Sequence, residues 1–264
     1  MYPRWFPWFG DANITHSAFV ALAFFVGLSI FVRDMQKSNR TDTSAYAPIL
    51  IGIMLGGLIG ARIGSFITIL ASRAPNALFT AWEYGGKSVL GGLAGAYIGA
   101  VIAKRIVGFA GSTGNDFAPA VAAAMAVGRI GCFLTEPPGR PTSLPWAISI
   151  DPRAAKDMPD CTPCQLGQRM HPSIAYEILF LVLSYFAMRR WGHRFSVPGS
   201  LFVAFLTVYA FFRFFVEFTR ANPLNSWGLS GSQTFLLFVF PLLVWRLITA
   251  LRSNSAPGAQ ATNA

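Results

Sequence analysis

The chain is poor in charge. Asp, Glu, Lys and Arg make up 12% of its 264 residues and apolar residues 53%, whereas soluble domains carry about 25% charged residues. That deficit excludes an ordinary soluble globule and makes lipid the solvent. Acidic residues are scarcest, 11 against 21 Lys and Arg, leaving a net charge of +10. In a soluble protein this balance suggests nucleic acid. Here the bases lie between apolar runs, so they read as topology signals and contacts to anionic lipid, and no nucleic-acid partner is expected. No internal repeat is visible, which argues against a transporter built from inverted halves. Met1 to Asn13 lacks a basic segment and a small-residue cleavage site, so no removable signal peptide is expected. Of only three cysteines, Cys161 and Cys164 form a Cys-x-x-Cys without a surrounding thioredoxin-like strand–helix pattern. Zinc would need two more ligands there, and only His171 is near in sequence. The pair reads as a structural disulfide in a compartment that permits one, Cys132 as a small packed residue, and neither metal nor cofactor is expected.

What is present is a series of long apolar runs. Crossing a bilayer as a helix takes about 20 mainly apolar residues, and candidates fall at 15–33, 47–71, 88–110, 117–134, 172–191, 198–220 and 232–250. The chain is therefore expected to be an all-α polytopic membrane protein of seven transmembrane helices. Short-loop bases accumulate after the first span (Arg33, Lys37, Arg40), the third (Lys104, Arg105), the fifth (Arg189, Arg190, Arg194) and the seventh (Arg246, Arg252). By the positive-inside rule the N-terminus is outside and the C-terminus cytoplasmic. Residues 1–252 are then one membrane domain with an external loop at about 135–171, and residues 253–264 a disordered cytoplasmic tail. The third and fourth spans are rich in Gly and Ala, which lets helix backbones approach closely in lipid.

An ionisable residue inside a span is costly and is a functional hypothesis by default. Arg62 lies in Gly60-Ala-Arg-Ile-Gly64, and Arg129 in Gly128-Arg-Ile-Gly131. Glu177 opens the fifth span. Tyr209, Arg213, Glu217 and Arg220 recur at helical spacing along one stripe of the sixth. Arg213 and Glu217 alone would be a fixed, self-neutralising pair. The arginines, however, outnumber the intramembrane carboxylates, glycines beside Arg62 and Arg129 leave room for a ligand, and the planar guanidinium fork suits phosphate. A phosphate-bearing lipid is the natural counter-ion.

Gly128 to Thr142, reading Gly-Arg-Ile-Gly-Cys-Phe-Leu-Thr-Glu-Pro-Pro-Gly-Arg-Pro-Thr, resembles the signature of prolipoprotein diacylglyceryl transferases. In the same order, Gly85 to Gly92 resembles that family's glycine-rich third-span motif and Asp116-Phe-Ala-Pro119 the start of its fourth span. His171-Pro-Ser-Ile-Ala-Tyr-Glu177 is similar to its His-Pro box, and Tyr209 to Arg220 to its sixth-span helix. The likeness runs from about Gly56 to Arg220. It implies a seven-span, N-out enzyme that moves the diacylglyceryl group of phosphatidylglycerol to the lipobox cysteine thiol of a prolipoprotein, leaving glycerol 1-phosphate. The substrates would be phosphatidylglycerol and a prolipoprotein signal peptide, met within the bilayer of the bacterial cytoplasmic (inner) membrane.

Carried onto this sequence, the resemblance makes Arg129 the headgroup-binding residue. Arg213 becomes a second phosphate or transition-state contact with Tyr209 beside it, and Glu136 matches the acidic residue after the signature arginine. Glu217 and Arg220 orient the sixth-span helix. Gly128, Gly131, Gly139, Gly91, Gly92, His171 and Arg62 complete the expected binding set. Four departures bear on proton transfer. Leu90 stands where the family usually has His before its Gly-Gly, Cys132 where it has Asn, Thr15-His-Ser-Ala18 where its first span has Tyr-Gly, and Ala210 where it has Gly after the sixth-span Tyr. Glu136, Tyr209, His16 and His171 remain as possible bases. The alternative is a non-catalytic or altered-specificity lipid-binding paralogue.

Overall fold

The computed structural model describes residues 12–37, 46–71, 88–109, 111–151, 154–157 and 161–254. Among these, seven long helices succeed one another: α1 (Ala12–Lys37), α2 (Tyr46–Ala71), α3 (Val89–Ile106), α4 (Gly114–Thr135), α5 (Ser173–Trp191), α6 (Ser200–Val216) and α7 (Gly231–Asn254). Three isolated bridges and no strand accompany them in the described residues, so the expected all-α class holds. Six of the seven are long and apolar enough to cross a membrane. The exception is α5, which carries Glu177, Arg189 and Arg190 in 19 residues. The expected tail beyond Asn254, the opening residues 1–11 and the basic segment around Arg40 lie outside the described residues.

The chain divides into two compact units. The first takes the described residues of Met1–Asp34, Thr113–Asn222 and Phe238–Ala264; the second takes those of Met35–Ser112 and Pro223–Leu237. In the second, α2 and α3 pack through glycine. A Cβ at Gly64 would come within 2.9 Å of Gly91 Cα, one at Gly60 within 2.7 Å of Gly95 Cα, and one at Gly56 within 2.9 Å of Gly99 Cα. Real Cβ atoms essentially never approach backbone that closely, so these positions admit only hydrogen, and the helices gain van der Waals contact that larger residues would prevent. Ser88 caps α3 by accepting a hydrogen bond from Gly91 N at 3.1 Å. An apolar cavity of about 420 Å³, lined by Ile59, Ile63, Leu90, Ala94 and Phe235 among others, lies within this unit.

The first unit is built on α4, α5 and α6, which pack against one another. Half of the α4 span and 44% of the α6 span are buried, against 11% for α1, so both offer an interior side on which charge can be hidden. Asn115 fastens their starts. Its amide donates to Phe195 O (3.3 Å) and Val197 O (3.1 Å), and its carbonyl accepts from Leu201 N (2.9 Å). Gly199, at φ +86°, supplies the left-handed turn that opens α6. Phe31 of α1 stacks on Phe117 of α4 with ring centroids 4.2 Å apart. Arg189 of α5 pairs with Asp34 of α1 at 2.6 Å, an exposed contact worth under about 1 kcal/mol.

After α4 the chain runs through an irregular segment with a small core of Ile150, Ala155, Cys161, Cys164 and Met170. Cys161 and Cys164 are joined in a disulfide around the one-turn helix Thr162–Gln165, as their spacing suggested. Ile148 and Met170 exchange backbone hydrogen bonds at 3.0 and 2.7 Å, which closes the segment before α5 begins.

Candidate functional site

Charge collects inside the first unit. Arg129 on α4, Glu177 on α5 and Arg213 on α6 are each at most 5% exposed. Glu177 lies between the two arginines: Arg129 Nε is 2.5 Å from its Oε2, and Arg213 Nε is 2.9 Å from its Oε1. Arg213 also donates through Nη1 to Glu217 Oε2, and Asn222 Nδ2 donates to Glu217 Oε1 at 2.6 Å. Arg220 approaches Glu136 at 3.2 Å and Glu217 at 4.0 Å. Three arginines thus meet three carboxylates. The excess of arginine expected from the spans disappears inside this cluster, because Glu136 joins it while Arg62 belongs to the second unit, where its side chain is exposed on α2.

The expected single stripe on the sixth span also ends early. The α-helix stops at Val216, Glu217–Thr219 form a 3-10 turn, and Arg220 is extended (φ −86°, ψ 150°). Leaving the helix is what lets Arg220 reach Glu136. The bend is held from outside. Ser173 Oγ donates to Thr219 O (2.9 Å), Thr219 Oγ1 donates to Ser173 Oγ (2.7 Å), and Arg140 donates through its backbone N to Thr219 O (2.7 Å) and through Nε to Arg220 O (3.0 Å). Sequence reasoning left Ser173, Thr219, Asn222 and Arg140 out of the site and weighed Glu177 without placing it there. Arg140, Ser173 and Thr219 lay inside the quoted motifs, and Glu177 gave a signal of its own as a carboxylate inside an apolar run.

Not every polar atom in the cluster is satisfied. Among the described residues, the buried Tyr209 Oη and Arg220 Nη1 have no hydrogen-bond partner. Arg129 and Arg213 both interact electrostatically with Tyr209, but the hydroxyl makes no bond of acceptable geometry. The Nε contacts to Glu177 are likewise close in distance without hydrogen-bond alignment, so they hold the charges together by Coulomb attraction. Unpaired buried polar groups cost roughly 1–3 kcal/mol each, so each calls for an explanation. Glu136, just past the end of α4, feels burial, which by itself would raise its carboxyl pKa. The Arg220 guanidinium, a hydrogen bond from Cys132 and the charge of Arg129 together outweigh that and hold it below the usual carboxylate range.

The glycines of the expected binding set meet protein. A Cβ at Gly131 would come within 2.7 Å of Phe19 Cβ, and one at Gly128 within 3.6 Å of Ala23 Cβ, so both open α4 to α1. Gly139 is filled by Thr219 O and Ser173 Oγ, and its N donates to His171 O at 2.8 Å. Gly91 abuts the α2 backbone, and Gly92 makes an ordinary contact with Ala61. On the side where a Cβ would stand, Gly128 and Gly131 thus face α1. His171 faces Tyr176, Nδ1 to Oη 3.2 Å, and Trp146 Nε1 donates to the same hydroxyl at 2.8 Å. Near the C-terminal end of α4, His16 Nδ1 lies 3.9 Å from Cys132 Sγ.

Comparison with known proteins identifies the family. The family model described as prolipoprotein diacylglyceryl transferase matches residues 10–249. A protein of Geobacter sulfurreducens called phosphatidylglycerol–prolipoprotein diacylglyceryl transferase is 30% identical over 256 residues, 93% of this chain and 90% of its own. Proteins of the same name from Bordetella parapertussis (34% over 206 residues; 76% of this chain and 70% of theirs) and Cereibacter sphaeroides (30% over 270 residues; 89% of each) are also similar. With its membrane-length helices, its buried arginine–glutamate cluster and a match over nearly its whole length, the chain belongs to the prolipoprotein diacylglyceryl transferase family.

Proposed function

We infer that this chain transfers the diacylglyceryl group of phosphatidylglycerol to the lipobox cysteine thiol of a prolipoprotein, with release of glycerol 1-phosphate. The observation that carries the reading is the pair Arg129 and Arg213 on the single buried carboxylate of Glu177, with Tyr209 Oη and Arg220 Nη1 left unbonded beside them. A departing phosphate is anionic and offers several acceptor oxygens. Fixed guanidinium groups in a dry interior stabilise such charge most strongly where it develops. Glu177 and Glu217 hold both arginines in place before substrate arrives, so little reorganisation is left for the reaction step. Arg129, Arg213 and Tyr209 are the groups assigned to the phosphate, and Arg220, Glu136 and Asn222 the ones that position them.

The same reading places the chain in the bacterial cytoplasmic membrane as one domain over residues 1–252, with seven spans, an outer N-terminus, an external loop at about 135–171 and a cytoplasmic C-terminus. The distribution of Lys and Arg supports that orientation, and α5, though charged, has the length of a span packed against α4 and α6.

The test is transfer by the purified chain in vesicles of phosphatidylglycerol, with a lipobox peptide read by mass spectrometry. The peptide is expected to gain one diacylglyceryl mass, and Arg129→Ala to lower that rate at least about 100-fold. Retention of phosphatidylglycerol without transfer would instead establish a lipid-binding paralogue.

A further inference from the structure

Thioether formation from a thiol releases a proton, and arginine cannot accept it, because its guanidinium stays protonated in proteins. Other groups near the cluster are poorly suited. Glu177 and Glu217 are buried against arginines. Tyr209 is a phenol, normally protonated near neutral pH. Glu136 is held below the usual carboxylate range and so binds a proton weakly. His171 is engaged with Tyr176 in a string ending at Trp146, none of which is an arginine or carboxylate of the cluster.

His16 on α1 has different neighbours. Its Nδ1 lies 3.9 Å from Cys132 Sγ, and the side-chain ends of His16, Cys132 and Glu136 all fall within 4.8 Å of one another. Gly131 makes the approach possible, since a side chain there would collide with Phe19 one turn along α1. Cys132 and Glu136, four residues apart, present one edge of the end of α4 to the imidazole. Glu136 continues through Arg220 to Glu217 and the arginine cluster. His16 is half-buried and so stands at the edge of the site instead of being sealed within it.

We propose that His16 accepts the proton of the incoming lipobox thiol, with Glu136 orienting the imidazole and balancing the charge it acquires; this rests on the transferase reading above. In the tautomer that turns Nδ1–H toward Cys132 Sγ, Nε2 carries the accepting lone pair. The thiol proton passes to Nε2 as the sulfur electron pair attacks the glyceryl carbon that bears the phosphate. The S–C bond forms, the C–O bond breaks, and its electrons leave on the oxygen of glycerol 1-phosphate, held by the arginines. His16 then returns its proton to water.

The experiment compares the full chain with His16→Ala and His16→Asn in vesicles containing phosphatidylglycerol. It measures peptide lipidation, co-purifying phosphatidylglycerol, thermal unfolding and metal content. Both variants are expected to lose at least about 100-fold in rate while keeping bound phosphatidylglycerol and the parent's unfolding temperature. Imidazole added to the buffer should raise the rate of His16→Ala and leave the parent unchanged. Transfer by His16→Ala at the parent's rate overturns the proposal and leaves the transferase reading standing. Loss of bound lipid or fold with activity, or no rescue by imidazole, assigns His16 a packing role and also overturns it. Stoichiometric zinc in the parent, absent from the variants, replaces it with a metal site on the same three residues. A parent that transfers nothing overturns both readings together.

Discussion

Glu177 holds two guanidinium groups, and it is fully buried. Glu177→Gln removes the negative charge and leaves Arg129 and Arg213 facing each other in a dry interior. Breaking a buried ion pair from one side costs about 3–5 kcal/mol, so the unfolding temperature in detergent should fall clearly, and added phosphatidylglycerol should recover part of it by supplying an anion. No effect of the substitution would show that the arginines are neutralised elsewhere. Arg129→Lys tests the fork itself. A lysine keeps the charge but cannot present two coplanar donors, and transfer should drop nearly as far as in Arg129→Ala. Glu136 gives a pH expectation. Its folded carboxyl is depressed, so its contribution to stability is complete above the unfolded value near 4.3 and is lost only as pH falls through the lower folded one. Between pH 6 and 8 the Glu136–Arg220 pair should therefore leave unfolding temperature flat. Leu90→His bears on the same chemistry: with His16 accepting the proton, transfer should be unchanged, whereas a rise would show that proton acceptance had been limiting.

At the scale of elements, α2 and α3 meet in good part glycine against glycine backbone. Gly95 and Gly92 sit three residues apart on α3 and separate the two roles a glycine can have. A Cβ at Gly95 would fall within 2.7 Å of Gly60 Cα, whereas one at Gly92 would rest 3.5 Å from Ala61 Cβ. Gly95→Ala should destabilise by about 1–3 kcal/mol through overpacking, and Gly92→Ala should stay within about 0.5 kcal/mol of the parent. Equal unfolding temperatures for the two would contradict the close approach. The run of glycines and its packing role were legible in the sequence, because small residues every three or four positions in an apolar helix have few other uses. Which glycines touch backbone was not legible, since that depends on the rotation of each helix about its axis. Gly128 and Gly131 show the difference. Beside an arginine they read as room for a ligand, and the side on which each would carry a Cβ faces α1.

For the molecule as a whole, the inferred orientation makes a mapping prediction. Cysteines introduced at positions 38 and 253 should be labelled by a membrane-impermeant reagent only after the cells are opened, and one at 157 should be labelled in intact cells. The reverse pattern would invert the topology without touching the chemistry of the cluster. Much about this protein was determined by its sequence alone. A chain with this little charge must bury its backbone in helices once lipid is the solvent, and an arginine inside an apolar run must find a partner. The all-α membrane class follows from local composition and spacing, the family from the likeness of five ordered motifs, and Arg129, Arg213 and Glu217 stood out as charges inside apolar runs. Only the tertiary structure decided the partners. Glu177 joins Arg129 to Arg213 across three helices, Arg220 leaves its helix to meet Glu136, and His16 meets Cys132 across 116 positions of chain. Charge neutralisation and proton transfer act over a few ångströms in space, and separation along the chain carries no record of that distance until the helices pack.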